Sequence, residues 1–187
     1  MTFDLVIDPV VVRTCQAGAA IVFGAAAMSK LLDMRRFEGS LDGYALLPPA
    51  LVRPAAVGLA LAELAVAMAL PLDATRVPAA LAGLLLLALF SGAIAINLWR
   101  GNRNIDCGCH AFGRRGTERQ GGLSSWHLAR VALLAALVAP ALFEFAARDV
   151  LWVDYFTVLG GLACASGLFF VIDALLANRA VAQALES

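Results

Sequence analysis

The chain has 187 residues, of which 61% are hydrophobic and 15% are charged, and its formal net charge at pH 7 is zero. Soluble domains are usually about 45–50% apolar and about 25% charged, so this composition excludes an ordinary soluble domain and predicts a polytopic membrane protein. The zero net charge gives no sign of a nucleic-acid partner, and 4 cysteines are too few for a disulfide-rich scaffold.

Five apolar segments are long enough to cross a bilayer, because a transmembrane helix needs roughly 20 mostly apolar residues. We place them at residues 10–32, 50–70, 77–99, 125–145 and 151–177. Backbone polar groups in lipid must be satisfied within each segment, which favours helices. The sequence therefore predicts an all-α, polytopic integral membrane bundle of four or five transmembrane helices, with residues 1–187 as a single membrane domain.

Arginine and lysine are unevenly distributed between the two ends of the predicted bundle. One end carries Lys30, Arg35, Arg36, Arg53, Arg100, Arg103, Arg114, Arg115, Arg119 and Arg179, and the other carries only Arg13, Arg76 and Arg148. Cytoplasmic loops are enriched in these residues. We therefore expect the N-terminus outside, and the C-terminus and the polar loop 100–124 in the cytoplasm.

Several polar residues lie within the predicted spans, where an unpaired charge costs a few kcal/mol or more. Glu63 is the deepest carboxylate, and Arg13, entering from the same side, is its nearest candidate partner. Arg130 and Asp173 share the inner half of their helices, and Asn97 can hydrogen-bond to a neighbouring helix. Such groups either hold the bundle together or serve a function, and the sequence leaves both interpretations open.

The loop 100–124 contains the stretch "NIDCGCHAFGRRG", in which a single glycine separates Cys107 from Cys109. Cysteines two positions apart can form a small, strained disulfide ring, and strain makes a disulfide easier to reduce. His110 and the nearby arginines favour the reactive thiolate, whereas Asp106 opposes it. A redox role therefore suits these thiols better than permanent bracing.

Three interpretations of this loop remain open. The first is a redox-active dithiol, Cys107 and Cys109, that exchanges with a thioredoxin-like protein. The second is a zinc site that adds His110 and His127, although paired zinc ligands are usually spaced by two to four residues. The third is an inert turn. We favour the first and predict neither a metal nor a cofactor.

The other two cysteines, Cys15 and Cys164, lie in apolar segments, where cysteine is most often a small hydrophobic residue. In the five-helix arrangement Cys15 lies near the outer end of its helix, and Cys164 lies towards the outer half or the middle of its own. If their helices touch, a second thiol pair could exchange with Cys107 and Cys109, given a conformational step, and carry reducing equivalents across the bilayer.

Several short motifs occur together between roughly residues 10 and 145. They are Ser29–Lys30, the "YALLP" of 44–48, Glu63, "INLWRG" followed by "IDCGCHAFG", and "SSWHLAR". In these motifs the chain resembles the methylamine utilisation protein MauE family, within the wider DoxX-like group of small helical membrane proteins. Many relatives read Cys-Gly-Cys-Phe-Gly, whereas here His110 and Ala111 intervene before Phe112 and Gly113. A role for His110 would therefore be peculiar to a subset of the family.

This resemblance implies a protein of the bacterial inner membrane that assists maturation or export of the methylamine dehydrogenase β (small) subunit. That periplasmic subunit carries many disulfides and a tryptophan tryptophylquinone, and a thioredoxin-like MauD-type protein is the implied partner. The charge distribution places Cys107 and Cys109 inside while those disulfides form outside, so either electrons cross the membrane or the orientation is reversed. Two alternatives are a non-catalytic scaffold or export helper, and a small transporter with Glu63 and Arg13 along its path.

Overall fold

A computed structural model of the chain describes residues 8–101, 125–143 and 151–163, and within these ranges the regular structure is entirely helical. The helices are α1 (Pro9–Leu32), α2 (Met34–Gly43), α3 (Pro49–Ala69), α4 (Arg76–Trp99) and α5 (Ser125–Val138), the last continued by a 3-10 turn, Ala139–Leu142. Residues 152–163 form a further helical segment. The all-α membrane fold expected from composition is confirmed.

Three of these helices, α1, α3 and α4, are long and apolar enough to cross a membrane, and a shorter apolar stretch covers Val131–Leu142. Each of the three lies within a residue of a segment placed by hydropathy. Their outer faces carry large exposed apolar side chains such as Leu61, Leu85 and Leu89. Lipid replaces protein as the neighbour of such faces, so the bundle buries only one side of each helix.

Local chemistry explains where the helices start and stop. The Asp8 side chain accepts a hydrogen bond from the Val10 backbone N–H at 2.8 Å, and Pro9 occupies the first turn of α1. Proline suits that position because its missing N–H has no helical partner there. After the C-terminal end of α4, Gly101 adopts a φ of +74° and its N–H donates to the carbonyl of Leu98. This left-handed residue ends α4 just before the cysteine-containing loop.

Helix α2 was not expected, because its sequence "MRRFEGSLDG" is too polar to cross a bilayer and was assigned to a connecting loop. Asp33 is the single non-helical residue between α1 and α2. Its side chain accepts a hydrogen bond from the Arg36 N–H and so caps α2. Phe37 and Ser40 face inward and are buried. The connection between the first two spans is therefore largely helical, with an apolar face on the bundle.

Helices α1 and α2 together lie antiparallel along α3. A methyl group placed on Gly24 would lie 3.7 Å from Ala67 Cβ, and further along the chain Glu38 of α2 lies 3.7 Å from Arg53 of α3. Gly83 of α4 packs closely on α3, because a methyl group there would lie 3.2 Å from a Val66 methyl. Small residues at these crossings let helix backbones approach in lipid.

Candidate functional site: a buried ion pair between four helices

A short and deeply buried polar contact joins Lys30 of α1 to Glu63 of α3. The Lys30 Nζ donates to both carboxylate oxygens of Glu63, at 2.5 and 2.6 Å. The two side chains are only 4% and 3% exposed. Removing two charges from water is expensive, and only close, well-directed hydrogen bonds offset that cost. The short double contact meets this requirement.

Two aromatic rings complete the surroundings of the ammonium group. Nζ lies 5.2 Å from the centroid of the Phe37 ring and 5.0 Å from that of the Phe90 ring. The negative face of an aromatic ring attracts a cation within about 6 Å, most strongly when water is excluded. Because Phe37 belongs to α2 and Phe90 to α4, this one ammonium group contacts side chains of three other helices.

The sequence places both partners on the inward faces of their helices. Lys30 continues the buried stripe of α1 that includes Phe23 and Ala27, at helical spacing. Glu63 lies on the buried stripe of α3 that includes Ala56, Ala60 and Ala67. The neighbouring alanines leave room for the long lysine side chain, whose methylene stem can pack against apolar surface.

The predicted Glu63–Arg13 pair is wrong. Arg13 instead binds Asp73, in the turn between α3 and α4, with an Nη2–Oδ2 distance of 2.7 Å. Lys30, one of the cations expected at the cytoplasmic end of the bundle, lies inside α1 and faces α3. The transporter alternative required Glu63 and Arg13 to line one path, and the structure does not bring them together.

Asn97 is fully buried near the end of α4. Its Nδ2 donates to the Tyr44 carbonyl at 3.2 Å and to the Ala93 carbonyl of its own helix at 3.1 Å. Tyr44 directly follows α2, so this hydrogen bond joins the end of α2 to the last turns of α4. Asn97 thus makes a hydrogen bond beyond its own helix.

Cys15 lies half-buried in α1, and the helical segment 152–163 packs against α1 at neighbouring positions. A methyl group on Gly161 would lie 3.3 Å from a Thr14 methyl, and one on Gly18 would lie 3.5 Å from Leu162. The helix that leads to Cys164 therefore touches α1 on both sides of Cys15 in sequence. Cys164 itself lies outside the described residues.

Other predicted site residues also lie outside the described residues, namely Cys107, Cys109, His110 and Asp173, and the side chain of Arg130 in α5 is likewise not described. Within the described ranges, no three His, Cys, Asp or Glu side chains are grouped as a metal site would need.

Sequence reasoning missed Lys30 as the partner of Glu63 and missed the two phenylalanines around it. One signal was available, since Lys30 follows Phe23 and Ala27 at intervals of seven and three residues and so shares their helix face. No local pattern pointed to Phe37 or Phe90, whose role depends on how α2 and α4 pack around α1.

Three membrane-length helices around a buried, hydrogen-bonded ion pair define a polytopic helical membrane protein. The family model described as "Methylamine utilisation protein MauE" matches residues 8–144. The chain therefore belongs to the MauE family. The match includes the Lys30–Glu63 pair, helices α1 to α4 and the Cys-Gly-Cys loop.

Three relatives bear the name "Methylamine utilization protein MauE". The protein of Paracoccus versutus is 37% identical over 167 residues, covering 83% of this chain and 90% of that protein. The protein of Methylophilus methylotrophus is 34% identical over 134 residues, covering 72% and 68%. The protein of Paracoccus denitrificans is 40% identical over 110 residues, and the match spans 59% of each chain. No solved structure shows a significant match to this chain.

Proposed function

We propose that this chain is an inner-membrane accessory protein of methylamine utilisation, which supports maturation of the methylamine dehydrogenase β subunit by thiol–disulfide exchange through Cys107 and Cys109. The family match over residues 8–144 carries this proposal, because it includes both the membrane bundle and the two cysteines. The proposed partners are a thioredoxin-like MauD-type protein and the β subunit itself.

The exchange needs only the two thiols and a disulfide on the partner. The thiolate of one cysteine attacks a partner sulfur, forms a mixed disulfide and releases the second partner sulfur as a thiolate. The other cysteine thiolate then attacks the mixed disulfide, closes the Cys107–Cys109 disulfide and releases the reduced partner. Two electrons and two protons pass to the partner, and the reverse sequence returns them.

The second thiol pair, Cys15 and Cys164, extends this proposal to the other side of the membrane. Its support is the packing of α1 against the helix that leads to Cys164, around Thr14 and Gly18. With the N-terminus outside, as the arginine distribution favours, electrons would pass between the two pairs by the same exchange chemistry after a conformational step.

The decisive experiment replaces Cys107 and Cys109 with serine together, in cells that depend on methylamine dehydrogenase. We expect quinone-bearing β subunit and dehydrogenase activity to fall to the level of a strain lacking this protein. Immunoblots of the membrane fraction check that the variant is still inserted. The matched control is Ala111→Ser in the same loop, which should leave maturation unchanged.

Normal maturation in the doubly substituted strain would rule out the redox role and leave a scaffold or export helper. Labelling Cys107 and Cys109 in intact cells with a membrane-impermeant thiol reagent, before and after reduction, determines the side of the membrane and the oxidation state in one experiment.

A further inference from the structure

Asp33 separates α1 from α2 and interrupts a helix that would otherwise run along α3. Its backbone has φ of −133° and ψ of 63°, outside the helical range, and its N–H bonds to the Ser29 carbonyl while its carbonyl accepts from the Phe37 N–H. A long helix and a short helix joined by one non-helical residue can change their relative angle through that residue alone.

The Lys30 ammonium connects the two sides of this interruption. Lys30 lies three residues before Asp33, and its Nζ lies 5.2 Å from the ring of Phe37, four residues after Asp33. The same Nζ is held by Glu63 of α3 and faces Phe90 of α4. The cation therefore joins α2 to the three membrane-length helices at one buried point.

Two further polar links join α2 to the described part of the bundle. Glu38 approaches Arg53 at 3.7 Å, but Arg53 is 84% exposed, and exposed pairs contribute little. The Asn97–Tyr44 hydrogen bond secures only the residue that follows α2. Phe37, the residue that faces the ammonium, is the most deeply buried apolar residue of α2.

We propose that the Lys30–Glu63 pair is a latch that holds α2 against the bundle across a hinge at Asp33. With the pair formed, Phe37 packs under the ammonium and α2 lies along α3. Without the ammonium, α2 separates as a unit about Asp33, while α1, α3 and α4 keep their mutual packing. The latch is a conformational property of the fold and does not depend on the chemistry of Cys107 and Cys109.

Hydrogen exchange measured on the full-length protein in phosphatidylcholine nanodiscs tests the latch. In Lys30→Met, we expect amides of residues 34–44 to exchange at least about tenfold faster, because a desolvated cation–π contact is lost. Amides of α4 should be accelerated clearly less than those of residues 34–44, because the unpaired Glu63 weakens the whole bundle whereas the lost ring contact acts on α2 alone. Unchanged exchange in α2, or equal acceleration in every helix, would overturn the proposal.

Two further variants keep the test independent of any general loss of folding. Lys30→Met with Glu63→Leu removes both buried charges, so the bundle stays packed, and α2 should still exchange faster than in the wild type. Wild-type protection of α2 in this double variant would show that the pair only neutralises charge. Phe37→Leu keeps the pair but removes the ring, and it too should loosen α2.

The matched control is Arg13→Met, which removes a cation from the other end of α1. Because Arg13 binds Asp73 at the end of α1 opposite to α2, exchange in residues 34–44 should not change. Acceleration of α2 in this control equal to that in Lys30→Met would overturn the proposal.

Discussion

Helix α1 carries an ion pair near each end, and the two pairs differ in environment rather than in geometry. Lys30–Glu63 and Arg13–Asp73 have closest N–O distances of 2.5 and 2.7 Å. The side chains of the first pair are 4% and 3% exposed, whereas those of the second are 36% and 58% exposed. Distance alone would rank the two pairs as equals.

The difference in burial gives the two ion pairs different energetic roles. Water and ions screen the Arg13–Asp73 pair, and either partner can be solvated if the other is lost. Lys30 and Glu63 are shielded from water, so the charge of each is stabilised mainly by its partner. Removing only one partner of a buried pair is therefore costly, even where the net contribution of the whole pair to stability is small.

The largest expected effect comes from removing one buried partner. Glu63→Leu should leave the Lys30 ammonium buried without its carboxylate and destabilise the fold by about 3–5 kcal/mol. Unfolding in mixed detergent measures the change. Adding Lys30→Met should recover most of the lost stability, since no uncompensated charge remains. If Glu63→Leu alone were as stable as the wild type, burial would not make the Lys30–Glu63 pair differ from the Arg13–Asp73 pair.

A buried but neutral contact should give an intermediate effect and sharpen the comparison. Asn97→Ala removes the hydrogen bond to the Tyr44 carbonyl, and interhelical hydrogen bonds in membrane proteins average about 0.6 kcal/mol and reach about 1.7 kcal/mol. The same unfolding assay applies. Ser91→Ala is the control on α4, because the Ser91 hydroxyl donates only to Leu87 of its own helix. Equal losses in both variants would argue against an interhelical contribution.

The smallest effect is expected at the exposed pair. Asp73→Asn should cost about 0.2–1 kcal/mol, and the difference from the wild type should shrink as salt is raised. Unfolding at low and high ionic strength gives the comparison. A loss as large as that of Glu63→Leu, independent of salt, would show that exposure does not govern these pairs.

The three membrane-length helices could be predicted closely because the bilayer thickness sets the length of an apolar run. Helix α2 could not be predicted in this way, because it is too short and too polar to cross the membrane. Its polar residues outnumber its few apolar ones, among them Phe37. The signal that it did contain was local, in the ability of Asp33 to cap the first turn.

The candidate site was predicted in part. Glu63 stood out because a carboxylate within an apolar helix is costly, and it does lie in a buried ion pair. Its partner was misassigned because depth along a helix says nothing about which face a side chain occupies once helices tilt and pack. Phe37 and Phe90 carried no polar signal at all, so only their positions beside Nζ identify them.

The sequence by itself determined that this is a helical membrane protein, where its long helices run, and that two thiols stand one glycine apart, because these depend on the order and polarity of residues along the chain. Only the tertiary structure decided that Lys30 rather than Arg13 binds Glu63 and that α2 lies beneath the same cation. Such contacts join residues distant in sequence, and the rotation and crossing of each helix bring them together.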